Sequence, residues 1–209
     1  MKLPILCLAL ALTSPVLASA QECGPSCPVC SGISEGALIG GNSILVSALS
    51  VPTSEEERVV LNARYGIFNW LDVGAGYAAR TEKFLWNVRV EPLAEDEGGW
   101  RPGIILGSGS VQVGGSDQSV YAQLTKSLES GESFALRLSA GSAALVPDFD
   151  EVYGLAGVTA SIYERFSLFT NYDGRAFHEG ASIIPMEWLT LSFLLVETEY
   201  PAISVAFKM

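Results

Sequence analysis

Residues 64–80 read RYGIFNWLDVGAGYAAR, two alternating runs joined through Phe68, Asn69 and Trp70. In LDVGAGYA (71–78), Leu71, Val73, Ala75 and Tyr77 fall on one face of an extended chain, and Asp72, Gly74, Gly76 and Ala78 on the other. Successive side chains of a strand point to opposite sides, so this is the signature of a strand with one apolar face. The same split recurs downstream. FLWNVRVEP (84–92) sets Trp86, Val88 and Val90 against Asn87, Arg89 and Glu91. FALRLSAG (134–141) sets Phe134, Leu136, Leu138 and Ala140 against Ala135, Arg137, Ser139 and Gly141, and LTLSF (189–193) alternates likewise.

Marking every such run predicts strands near 38–50, 57–67, 71–80, 84–93, 102–112, 118–128, 133–145, 152–162, 166–174, 177–185, 189–198 and 201–209. A strand that crosses a membrane needs about 9 to 11 residues, and a connection takes about 5, so about twelve strands fill residues 36–209. The connections fall into two kinds that alternate along the chain. FNW (68–70), YERF (163–166) and MEW (186–188) are short and aromatic, whereas PTSEEER (52–58), GGSDQ (114–118), PDFDE (147–151) and ETEY (197–200) are acidic or polar. An up-and-down barrel in an outer membrane has two such rims, with short turns on one side, variable loops on the other and aromatic girdles at the interfaces. LAEDEGGWRP (93–102) is long where a tight turn is expected. The fold expected is therefore all-β, an antiparallel up-and-down transmembrane barrel of about twelve strands.

The beginning of the chain sets the compartment. MKLPILCLALALTSPVLASA carries one lysine, a short apolar run and an Ala-Ser-Ala ending, the pattern of a secretory signal peptide cleaved after Ala20. Residues 1–20 are thus read as signal peptide, 21–35 as a Cys-containing segment, periplasmic or a plug, and 36–209 as the barrel. Past residue 20 there is no apolar run long enough for a spanning helix. The chain of 209 residues has a net charge of −11, which argues against a nucleic-acid partner, whose phosphates it would repel. Membrane lipid and the barrel assembly machinery are the partners expected.

ARYGIFNWLDVGAGY (63–77), WNVRVEP (86–92), NYDGRAFHEGASIIPMEWLTL (171–191) and YPAISVAFKM (200–209) resemble the hairpins of YjbH-like outer-membrane barrels, a group associated with exopolysaccharide production. The resemblance spans most of the chain after residue 57 and implies the barrel fold and a role in the cell envelope. Barrels of this kind commonly end in an aromatic residue; here Met209 is last, with Phe207 two before it.

If the polar face lines a lumen, Asn62, Arg64, Asp72, Arg89, Glu91, Gln123, Arg137, Asn171 and Asp173 point inward. Both signs of charge are present, which fits a cross-barrel network or the lining of a pore. The single histidine, His178, stands five residues after Asp173, but no serine motif accompanies it, so no enzyme and no cofactor is expected. Cys23, Cys27 and Cys30 follow the cleavage site. In an oxidising compartment two of them can form a disulfide, three thiolates can hold zinc or copper(I), and a bridge to another chain is the third alternative. Two functions stay open: a small porin-like or transport-associated barrel, and a non-conducting scaffold for envelope or exopolysaccharide assembly that meets a periplasmic partner through its cysteine-bearing N-terminus.

Overall fold

The computed structural model describes residues 38–209 except 54–57, 97–98, 114, 131–132, 148 and 164. The signal peptide read above and the segment with Cys23, Cys27 and Cys30 lie outside the described residues. The alternating runs form twelve strands: β1 (Ile44–Ser50), β2 (Val59–Phe68), β3 (Leu71–Ala78), β4 (Lys83–Leu93), β5 (Gly103–Gly109), β6 (Ser119–Ser130), β7 (Phe134–Leu145), β8 (Val152–Ile162), β9 (Phe166–Tyr172), β10 (Phe177–Met186), β11 (Leu189–Val196) and β12 (Tyr200–Lys208). Each pairs antiparallel with its sequence neighbours, and β1 pairs with β12, so the sheet is a closed barrel. Closure leaves no unpaired edge to template aggregation. At the seam Ile44 and Met209 exchange backbone hydrogen bonds of 2.7 and 2.9 Å.

The register fixes the two faces. Across β2, β3 and β4, Ala63 stands beside Ala75 and Ala75 beside Trp86, while Asn62 stands beside Gly76 and Asp72 beside Arg89. The first set points out and the second in. Outward side chains such as Ile44, Leu61, Trp86, Phe193 and Ile203 are 42–58% exposed. That is a continuous apolar exterior, far larger than a soluble monomer leaves uncovered.

Aromatic pairs mark both rims. On the short-turn side Phe68 stacks on Trp70 with ring centroids 5.1 Å apart, and Trp188 on Phe207 at 6.1 Å. On the other side Tyr77 meets Phe84, and Tyr172 meets Phe177, each at 5.0 Å. The long β4–β5 connection is tied down by Glu95, whose Oε1 accepts hydrogen bonds from Lys126 Nζ at 3.2 Å and from the Ser127 amide, beside the bulge in β6 between Ser127 and Glu129.

Three expectations are corrected. The first strand begins at Ile44 and not at 38, because Gly40 (φ 85°) and Asn42 (φ 59°) adopt left-handed conformations that end any extended run. Residues 38–40 instead turn inside the barrel: Ile39 is buried with Leu45 and Ala206. A Cβ on Gly66 would lie 1.8 Å from the Gly40 carbonyl oxygen, so only glycine admits this segment.

The fifth strand stops at Gly109 instead of 112, at a φ of 150°. Any side chain there would strike Asn87 Oδ1, 2.2 Å from the Cβ position. Past Gly109 the connection to β6 leaves the wall and folds inward.

Nor is the inner face polar throughout. Val51, Phe169, Leu194, Val196 and Ala202 form one buried apolar cluster, and Val111, Ala143 and Leu155 another. They exist because the inward-folded connection needs apolar partners.

Candidate functional site

The interior is built in three tiers. At the loop end, residues 110–113 turn into the bore. Val111, 2% exposed, sits among Ala143, Leu155 and Tyr121, and Val113 packs on the Phe169 and Leu194 cluster. The segment holds its own turn: Ser110 Oγ donates to the carbonyls of Gln112 (3.2 Å) or Gly115 (3.1 Å), and the Gly115 amide donates to the Gln112 carbonyl. Because the strand has left the wall there, β4 loses its partner above Val88. Gln118 substitutes for it, accepting from the Trp86 amide at 3.1 Å and donating to the Trp86 carbonyl at 2.9 Å.

Asp173 knots this end together. Its Oδ1 accepts the amides of Arg175 (2.9 Å) and Ala176 (3.0 Å), and its Oδ2 accepts the Val113 amide at 3.3 Å. His178 Nε2 lies 2.9 Å from the same Oδ2, and His178 Nδ1 accepts the Glu197 amide at 3.0 Å. Three loops therefore meet on one carboxylate and one imidazole, both within 3% of full burial. Burial pushes the Asp173 carboxyl up, but the bonds from His178, Ala176 and Arg175 outweigh it and hold the carboxyl below its ordinary range. His178 stands near the start of β10 at the loop rim, yet it is shielded from water. It is 1% exposed, with Nδ1 held by the Glu197 amide and Nε2 facing Asp173 Oδ2.

The middle tier carries Asn62, Arg64, Asp72, Arg89 and Gln123. Arg64, Asp72, Arg89 and Gln123 are each at most 5% exposed. Arg64 Nη1 lies 3.8 Å from Asp72 Oδ2, and Arg89 stands directly beside Asp72 across the β3–β4 ladder. Asn87 Nδ2 donates to Asn62 Oδ1 at 2.9 Å. Glycines make room, for a Cβ on Gly74 would touch Arg64 Cγ at 2.8 Å, and one on Gly107 the Tyr121 ring at 2.4 Å.

The short-turn tier holds Glu91 and Arg137, half-buried. Glu91 feels the opposite charge of Arg137 and the like charge of Glu95, and Arg137 Nε donates to Ser127 Oγ at 3.4 Å. Asn171 and Asp173 stand apart from both charged tiers, on the far wall.

That far wall is chemically different. From β8 to β12 its inward positions include a set of small hydroxyls, Thr159, Ser167, Ser182, Thr190, Ser192 and Ser204, all buried. Ser182 and Ser192 face each other in register and share a hydrogen bond. The arginines of the bore thus lie on the β2–β7 side, and the other side offers hydroxyl, amide and apolar groups below Asp173 at the loop end. Sequence reasoning missed Glu95, Gln118, His178 and the inward loop. For His178 the signal was present, since His178, Gly180 and Ser182 alternate with the outward Phe177 and Ala181.

No family model and no curated protein matches this chain. Among solved structures it is similar to a low-pH structure of OprB from Pseudomonas putida, at 12% identity and a TM-score of 0.32, over 79% of this chain and 62% of that one. It is also similar to Ail, the attachment invasion locus protein of Yersinia pestis, at 11% identity and a TM-score of 0.16, over 80% of this chain and 95% of that one. The chain therefore spans somewhat less than two thirds of OprB.

Proposed function

We propose that this protein is an outer-membrane β-barrel that does not conduct at rest and serves as a scaffold or binding barrel of the cell envelope. Its apolar exterior with aromatics at both rims supports the membrane location, because water would not tolerate that surface on a monomer. The observation that supports a closed state is the β5–β6 connection, whose Val111 and Val113 are seated against inner-wall clusters at the loop end.

Planar-bilayer recording tests the reading. The refolded chain should show no steady unit conductance, and deletion of residues 111–116 should produce stepwise openings. Steady porin-like conductance from the full chain would sink it. The charged wall of Arg64, Arg89, Glu91 and Arg137 favours the porin-like alternative, and the same recording separates the two. Location is tested by fractionation, where the mature chain should follow the outer membrane and migrate faster unheated than boiled.

A further inference from the structure

Two guanidiniums, Arg64 and Arg89, are 4% and 5% exposed on one inner wall; a single carboxylate, Asp72, lies on the strand between theirs, opposite Arg89 and two residues from Gly74, the partner of Arg64. The two cations repel each other, and Asp72 attracts Arg64. The other acid on this wall does not complete the balance, since Glu91 stands in the short-turn tier, where it is attracted by Arg137 and repelled by Glu95.

The hydrogen-bond count points the same way as the charge. Arg64 Nε, Arg64 Nη1 and Arg89 Nε are buried with no hydrogen-bond partner among the described residues, and Asp72 Oδ1 is the carboxylate oxygen beside them that likewise has none. A small rearrangement that paired Asp72 Oδ1 with one of these donors would still leave one positive charge without a counter-charge. A buried donor without a partner costs about 1 to 3 kcal/mol, more when charged, and an uncompensated buried charge costs more still. Guanidinium groups meet oxyanions through paired N–H donors on one edge, so the missing component is an anion with at least two acceptor oxygens.

We infer that the Arg64, Asp72 and Arg89 tier is a binding site for one small oxyanion, a carboxylate, sulfate or phosphate group, held inside the barrel between the two guanidiniums. The inference stands apart from whether the barrel conducts, because it concerns occupancy of the inner wall and not passage through it.

The test uses the refolded mature chain in detergent micelles, with sodium sulfate compared against sodium chloride at equal ionic strength. Thermal unfolding and calorimetric titration should both show a saturable effect of sulfate. At ten times the dissociation constant the folded-to-unfolded ratio should rise roughly tenfold. Arg89→Gln removes the repulsion and half the site, so it should be at least as stable as wild type without sulfate yet insensitive to it. Asp72→Asn keeps both guanidiniums and removes the competing carboxylate, so it should bind sulfate tighter, roughly three-fold or more. The opposite signs of these two responses are not what a merely structural cluster would give. A wild type with no saturable sulfate effect, an Arg89→Gln variant that responds like wild type, or an Asp72→Asn variant that binds more weakly would each overturn the inference.

Discussion

A backbone amide can only donate, so the Glu197 amide on His178 Nδ1 places the imidazole proton on Nε2, facing Asp173. The carboxylate then collects that contact and the amides of Val113, Arg175 and Ala176. Its folded-state pKa lies below the ordinary carboxylate value. The stability it supplies is therefore complete above about pH 4, the unfolded value, and is lost as pH falls through the lowered one. We expect Asp173→Asn to lower stability at pH 7 by about 1 to 3 kcal/mol, and the gap between variant and wild type to narrow as pH drops below about 4. Thermal midpoints measured across that range check it, and a gap that is constant with pH would reject the assignment. Gln118 makes a comparable case at the wall. Replacing it by alanine removes both bonds to the Trp86 backbone, at a cost of about 0.5 to 1.5 kcal/mol each, read from the same midpoints.

At the scale of elements, period-two alternation was enough to locate all twelve strands, because one face of each meets an apolar surround and the other does not. The ends were less legible. Leu38 and Ile39 continue an apolar pattern, and nothing local says that Gly40 and Asn42 will turn left-handed and send them inside. The 110–118 connection was equally hidden, since VQVGGSDQ has the small polar composition of an outside loop. Its inward course depends on apolar inner positions from distant strands, Phe169 and Leu194 among them, which no local window contains. The charged residues of the candidate site were readable from alternation, but their grouping into tiers needed the register.

Gly109 is the hinge of that inward course, and Gly109→Ala should cost about 1 to 3 kcal/mol through its positive φ alone, besides striking Asn87. Denaturant titration, with proteolysis of the loosened 110–118 segment as a second readout, tests this. An unaltered titration with the segment still protected would show that the strand leaves the wall without help from glycine. On the outer face, Val88→Arg should cost roughly 2 to 4 kcal/mol near the membrane midplane. A variant refolded in lipid vesicles with unchanged stability would mean that Val88 does not face lipid.

The molecule as a whole depends on closure, since a twelve-stranded sheet left open would present two edges and unmatched backbone groups to lipid. The seam is short. β1 contributes seven residues, and its pairing with β12 runs from Leu45 beside Lys208 to Ser50 beside Ile203, completed by the mutual bonds of Ile44 and Met209. The last residues also serve the rim, where Phe207 stacks on Trp188 and the Lys208 amide donates to the Trp188 carbonyl at 2.9 Å. Deleting residues 207–209 removes the pairs that begin the seam together with that aromatic anchor, and it frees the first residues of β1, behind which Ile39 is seated against Leu45 and Ala206. We expect the truncated chain to fail to reach the compact, heat-modifiable form in lipid vesicles. Replacing Met209 alone by phenylalanine should leave that form intact, because the bonds at the seam are backbone bonds and the side chain is 72% exposed. If instead the truncated chain migrates as compactly as the full one, the sheet closes without its C-terminal pairs, and the seam lies elsewhere than between Ile44 and Met209.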